Sequence, residues 1–356
     1  MGDLNIDERQ RGSGVRMGEY GGAQAVASHG DTAAEFKSLR TGAGVCSLTW
    51  RKRLRLTGAD RVRWLNGMVT NNVRDLAPGH GVYAFFLNPQ GRIQADMYCF
   101  NRGEDLLIET DASQVEGLRA MFDKFIIMDE VEVADAENVT KLLLAGPKSP
   151  ETVEKVVSTG MQDMAALEFR SATHNGSTMT VIRLDDLVTP QFELLVANEH
   201  AAELWKALAA AGATPVGYEA VEMLRIWSGR PRFGQDIRDR DLPQETGQDR
   251  ALHFNKGCYV GQEIVERIHS RGAVHRVFAG FAFESGPPEV GAKIMVGDKD
   301  AGEITSVAHL PGDEGPPLVG LGYIRREFSK PETMVQASGV TGRVAKPPFE
   351  YVKVDT

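Results

Sequence analysis

The chain has 356 residues, 42% hydrophobic and 25% charged, with a formal net charge of −9. That length suits two or three globular domains, and the acidic balance argues against a nucleic-acid surface as the main partner site. No apolar run reaches the roughly 18 residues that would suggest a membrane span, and the polar, Gly-rich start has no apolar signal segment, so no membrane partner is expected.

Residues 1–20 are rich in Gly, Arg and Asp without periodicity, and a flexible N-terminal tail is expected over 1–30. Asp31 then caps a helix carrying Phe36 and Leu39. The alternation of Arg53-Leu54-Arg55-Leu56-Thr57 predicts a strand, and Val62, Leu65 and Val69 predict a helix after Gly58. Val82–Leu87 and Arg92–Phe100 read as a hairpin across the turn Asn88-Pro89-Gln90-Gly91, and Asp105–Glu109 continues the sheet. Asp111 is placed to cap a long helix with Val115, Leu118, Phe122 and Phe125 on one side. This first α+β unit is expected over 31–138.

A second α+β unit is expected over 139–272. Leu142-Leu143-Leu144 predicts a buried strand, Pro150–Val157 a helix, and Met179–Leu184 and Gln191–Val196 two further strands. His200–Ala211 reads as a helix closed by Gly212, and a helix over 217–228 ends at Gly229. After Arg271-Gly272, short strands at Val274–Phe283, Lys293–Val296, Gly302–Ala308 and Leu318–Ile324 are punctuated by Gly297-Asp298, Pro311-Gly312 and Gly315-Pro316. That pattern predicts a small all-β barrel or sandwich over 273–356.

Cys46, Cys99 and Cys258 are odd in number and far apart, which fits a reducing cytoplasm and gives neither a disulfide framework nor a C-x-x-C metal site. His253, His269 and His275 form no same-face helical pair, so no metal is expected. The densest chemistry lies in Lys256-Gly257-Cys258-Tyr259-Val260-Gly261-Gln262-Glu263. Ile264, Val265 and Ile268 follow at helical spacing, which puts Cys258 in a tight turn just before a helix N-terminus. A helix N-terminus and a neighbouring lysine favour the reactive thiolate; the alternative is a buried cysteine acting as a small hydrophobe. Glu193 sits inside the apolar strand Gln191–Val196, where a carboxylate is costly unless paired or at a wet edge. Alternation over Arg92–Phe100 puts Asp96 on a polar face with Gln94, Tyr98 and Phe100, a face that could equally be plain solvent-facing surface.

The motif over 256–263 resembles the signature of the YgfZ family. Supporting residues run back through Leu224-Arg225-Ile226, Gly229, Pro231-Arg232-Phe233-Gly234, Asp236 and Leu242-Pro243-Gln244-Glu245, and on through Arg267 and Arg271-Gly272. Members of that family are folate-binding proteins related to the glycine cleavage T-protein and implicated in iron–sulfur cluster assembly or repair. The resemblance implies an α+β fold with the T-protein's three-domain layout: two α+β units and a C-terminal β-barrel around a central folate cleft. It implies tetrahydrofolate or a derivative as cofactor, iron–sulfur client or assembly proteins as partners, and a cytoplasmic location.

It also assigns roles. Phe192-Glu193 matches a Gly-Phe-Glu whose glutamate grips the pterin, a ring with two adjacent donors that one carboxylate can accept. Arg225 matches a cleft arginine suited to the glutamyl carboxylates of folate or to an ion pair with a site acid. Tyr83 matches a cleft aromatic, and Gln262 joins the cofactor-binding set. Cys258, Lys256 and Asp96 form the catalytic set. The T-protein strand carries Gly-Gly-x-x-Asp-Asp, whereas this chain has Gly91-Arg92-Ile93-Gln94-Ala95-Asp96 and so keeps only the second aspartate. Loss of a carboxylate where a proton must be handled disfavours aminomethyl transfer. The rival expectations are a tetrahydrofolate-dependent aminomethyltransferase and a folate-binding scaffold without chemistry.

Overall fold

The structure is a computed structural model, and it describes residues 14–136, 139–157, 160–161, 163–185, 188–272, 274–311 and 318–350. The chain divides into two units: residues to Leu65 with Asn72–Tyr83 and Met97–Val221, and Asn66–Asn71 with Ala84–Asp96 and residues from Glu222 onward.

The first unit opens with strands β1 (Arg16–Tyr20) and β2 (Ala23–Ser28), paired antiparallel. The expected flexible tail is thereby corrected from Arg16 onward. Gly21 and Gly22 both take positive φ, the requirement of the tight hairpin turn whose twist suits paired strands. The ring of Tyr20 stacks on Tyr218 and meets Trp50 edge-on, each at 4.9 Å, which anchors the hairpin. Helix α1 (Thr32–Thr41) follows, with the Asp31 carboxylate accepting from the N–H groups of Ala33 and Ala34 as its sequence predicts.

Two sheets build the rest of the unit. After β3 (Gly44–Ser47), β4 (Arg51–Thr57) and α2 (Arg61–Met68) come β5 (His80–Leu87), β6 (Ile93–Asn101), β7 (Leu106–Asp111), α3 (Ala112–Phe125) and β8 (Glu132–Asp135). The strand order β5-β6-β7-β4-β8 forms a five-stranded sheet, and β5 and β6 each pass from one unit to the other along their length. Then β9 (Val139–Ala145), α4 (Ser149–Val156), β10 (Phe169–His174), β11 (Ser177–Arg183), β12 (Gln191–Ala197), α5 (Asn198–Ala210) and β13 (Thr214–Pro215) complete a six-stranded sheet in the order β10-β11-β12-β9-β3-β13.

Side-chain alternation divides this second sheet cleanly. Leu142, Leu144, Phe192, Leu194 and Val196 pack with Val153 of α4 and Leu204 and Leu208 of α5 in one core. The residues between them, Lys141, Leu143, Glu193 and Leu195, face the other way. Leu195 joins Phe100 and Leu107 of the five-stranded sheet in a separate small core. Strand β10 escaped sequence reading because only Ala172 of its six residues is buried.

Helix α6 (Tyr218–Ser228) leads into the second unit, which contains α7 (Gln262–Arg271) and a closed six-stranded barrel. Its strands are β14 (Arg276–Phe283), β15 (Lys293–Val296), β16 (Lys299–His309), β17 (Leu318–Arg325), β18 (Met334–Ala337) and β19 (Val340–Ala345), in the order β14-β17-β16-β15-β18-β19. The barrel surrounds Phe281, Ile294, Ile304, Ile324, Val335 and Val344. The α+β class and the C-terminal barrel agree with the sequence, and the unread pair β18–β19 closes the barrel by joining β15 to β14. The turn residues at 312 and 315–316 lie outside the described residues.

Candidate functional site

In the first unit the polar face of β12 and β9 meets the polar face of β7 and β4. Glu193 pairs with Leu143 across the β12–β9 ladder and Lys141 with Leu195, so both charges point the same way, one step apart. On the facing sheet Glu109 stands opposite Arg53 of β4 and Tyr98 of β6. The Lys141 ammonium reaches both carboxylates, in short contact with Glu109 and at 2.5 Å from Glu193 Oε2. Arg51 binds Glu109 through Nε at 3.0 Å and Asp111 through an Nη at 2.7 Å. Its guanidinium also lies 5.7 Å from the Tyr98 ring centre, and Tyr98 lies 5.1 Å from Tyr83.

These carboxylates titrate differently because their surroundings differ. Burial raises the Glu109 carboxyl, but the charges of Lys141 and Arg51 outweigh it and bring the value down to about 2. Burial, with Glu109 as a like charge beside it, pushes Glu193 up from its ordinary value despite Lys141 and Arg51. Glu193 is thus a buried carboxylate with a cation, in accord with the cost noted from its apolar strand. Asp111 was expected to cap α3, but its side chain makes no cap hydrogen bond and is drawn instead to Arg51. Glu109, Lys141 and Arg51 were missed, although Lys141 and Glu109 each interrupt an apolar strand, the same signal that singled out Glu193.

The second unit holds the motif over 256–263. Lys256 is not beside the thiol as a free cation. It is nearly fully buried, its ammonium donates to Val69 O at 2.8 Å and to Asn66 O, and it lies 4.7 Å from the Tyr259 ring centre. Those carbonyls end α2, where backbone acceptors lack helical partners, so Lys256 acts as a C-terminal cap. Val260 adds an N–H to Gly67 O at 3.2 Å. With Lys256 and Tyr259 both buried, the two residues between them, Gly257 and Cys258, are turned outward: Cys258 is exposed, while Cys46 and Cys99 are buried.

Gly261 precedes α7 in a left-handed conformation, φ 82°, and a Cβ there would lie 2.6 Å from Asn88 O. Any other residue at 261 would be strained and would collide with the 88–91 turn. Gln262 is the first residue of α7 and is half-buried. Asp96 is half-buried on β6, and Ala95 beside it is only 1% exposed.

Arg225 departs from its expected place as a folate ligand. Nε and one Nη grip Glu222 at 2.8 and 2.6 Å, the other Nη binds Asp236 at 2.6 Å and Arg230 O, and Ser306 Oγ lies 2.9 Å from an Nη. A guanidinium has five N–H donors and these five contacts account for them. Asp236, fully buried, also accepts from the Ser306 hydroxyl at 2.7 Å and the Thr305 hydroxyl at 2.5 Å. Arg225 therefore fastens α6 to β16, the ion-pair alternative in its sequence reading. Glu193 and Tyr83 lie in the first unit, and Cys258, Lys256, Gln262, Asp96 and Arg225 in the second.

This architecture is that of a T-protein aminomethyltransferase: glycine cleavage system aminomethyltransferase T from Bartonella henselae superposes with a TM-score of 0.86 at 20% identity, over 97% of each chain. The chain belongs to the GCVT N-terminal domain family, whose model matches residues 6–256. Among curated relatives, a Rubrobacter xylanophilus aminomethyltransferase is 27% identical over 96% of this chain and 92% of its own length. An Arabidopsis thaliana protein named "putative transferase, chloroplastic" is 28% identical over 95% of this chain and 77% of its own.

Two outcomes follow. Lys256→Met keeps the side-chain length but leaves two carbonyls without their ammonium, and should destabilise the protein by about 1–3 kcal/mol in urea unfolding; unchanged stability would show that the cap is not formed. Glu109 stabilises the fold at pH values above its ordinary 4.5, and that contribution is lost as pH falls from there through about 2. Glu109→Gln should lower stability at neutral pH by about 3–5 kcal/mol and make the loss between those pH values shallower, as followed by denaturation at stepped pH.

Proposed function

We propose that this chain is a YgfZ-like, tetrahydrofolate-binding member of the family that supports iron–sulfur cluster assembly or repair, with Cys258 as its reactive thiol. The observation that carries this reading is the build of the motif over 256–263: Lys256 and Tyr259 are buried, Gly261 takes a left-handed conformation at the start of α7, and Cys258 is turned outward. A thiol must be reachable to react, and of the three cysteines only this one is exposed.

The folate half of the reading rests on Glu193. An ionised carboxylate can accept two hydrogen bonds from the adjacent donors of a pterin. Tyr83 and Tyr98 supply aromatic faces in the same unit. Asp96 and Gln262 remain assigned to proton handling and folate contact. Lys256 and Arg225 do not, since each is engaged by protein groups.

A second reading, tetrahydrofolate-dependent aminomethyl transfer, is favoured by the fold and by the names of relatives. Against it stands Ala95, a buried methyl group where the T-protein resemblance supplies a carboxylate.

Calorimetric titration with a reduced folate should show binding, and Glu193→Ala should weaken it by about 1.5–3 kcal/mol for each charge-assisted hydrogen bond lost. Equal affinity for the two proteins would remove Glu193 from the site. With an aminomethylated lipoyl carrier and tetrahydrofolate, turnover should be negligible; robust turnover would establish the second reading.

A further inference from the structure

We infer that Lys141 is the positioning residue for the folate carboxylate: wedged between Glu109 and Glu193, its ammonium keeps Glu193 charged and leaves it able to accept the pterin's two donors. This rests on the reading that Glu193 takes the pterin.

Among the described residues, the charged groups that act on Glu193 come from three strands. Lys141 lies on β9, Glu109 and Asp111 on β7, and Arg51 and Arg53 on β4, with Tyr98 of β6 opposite Glu109 in the ladder. Three carboxylates thus face three cations. The two arginines act on Glu193 from farther off: Arg51 is in ion-pair contact with Glu109 and Asp111, and Arg53 stands opposite Glu109 while donating to Val139 O at 2.9 Å. Only Lys141 makes an ion pair with Glu193 among the described residues.

Sharing is what makes the arrangement usable by a ligand. If Lys141 served Glu193 alone, it could direct its N–H groups fully at that carboxylate and compete with an incoming donor pair. Glu109 pulls it the other way. The ammonium is shared between Glu109 and Glu193 Oε2, so it occupies only part of the acceptor capacity of the Glu193 carboxylate, whose two oxygens offer about four lone-pair sites. Without the cation the carboxyl, nearly fully buried and next to Glu109, would take up a proton. A protonated carboxyl carries its own O–H donor and cannot accept two donors side by side.

The test is calorimetric titration of formyltetrahydrofolate, a stable reduced folate, into wild type, Lys141→Met, Lys141→Arg and Glu193→Ala across the neutral to alkaline range. Lys141→Met should bind on the order of tenfold or more weakly near neutrality and recover as pH rises, by up to about tenfold per pH unit while the carboxyl titrates. Wild type should hold its affinity over the same range, and Lys141→Arg, which keeps the charge, should follow wild type. A Lys141→Met loss that is the same at every pH, or no loss at all, overturns the inference. Should Glu193→Ala bind like wild type, the folate reading itself has failed, an outcome distinct from the first. If Lys141→Met does not fold, carboxyl-carbon NMR on glutamate-labelled wild type decides instead. The Glu193 signal, identified by its loss in Glu193→Ala, should be that of a carboxylate near neutrality, and a protonated Glu193 there overturns the inference.

Discussion

A lysine ammonium buried between two carboxylates is the constraint on which the first unit turns. Lys141, Glu109 and Glu193 come from two different sheets, and their contacts leave only certain registers of β12 against β9 and of β7 against β4 open. A slip of one residue in either ladder would turn these charges into the leucine core on the opposite face. Removing charges from water costs several kcal/mol each, and their mutual attraction offsets this only where the geometry is good. A cluster of this kind is therefore a poor way to add stability. On the proposed reading, what it provides is a carboxylate kept ready in a dry place for a ligand with two adjacent donors.

The second unit applies the same chemistry to a different end. Lys256 is as deeply buried as Lys141, but its partners are backbone carbonyls at the end of α2 rather than carboxylates. Its charge holds chain against chain, and the loop thus fixed carries Cys258 into solvent. Arg225 and Asp236 work alike, joining α6 to the barrel strand β16 through ion pairs and hydroxyl groups. In each case a residue whose type suggests chemistry serves instead to position a neighbour.

That distinction explains what the sequence disclosed. Period and punctuation located the helix capped by Asp31, four strands of the five-stranded sheet, three of the six-stranded sheet, four strands of the barrel and the turn bearing Cys258. Hairpins with little apolar content escaped: β1–β2 turns on Gly21-Gly22 yet looked like a tail, and β10 buries one side chain of six. Charged residues were the harder case. Asp111 has the type and place of a helix cap, but Arg51, sixty residues earlier, takes its carboxylate. Lys256 neighbours Cys258 in sequence, yet its partners lie some 190 residues away. Local pattern places a charge on an element and a face, while its partner depends on the fold.

The central claim is that the outward thiol of Cys258 is what the scaffold exists to present. It is tested most directly by assaying iron–sulfur enzymes in cells lacking this protein and complemented with wild type or with Cys258→Ala at matched levels. An exposed side chain one atom smaller leaves fold and folate site intact, so the variant should accumulate and bind folate normally while failing to restore those enzyme activities. Full restoration by Cys258→Ala would contradict the account and leave the exposed cysteine without a role.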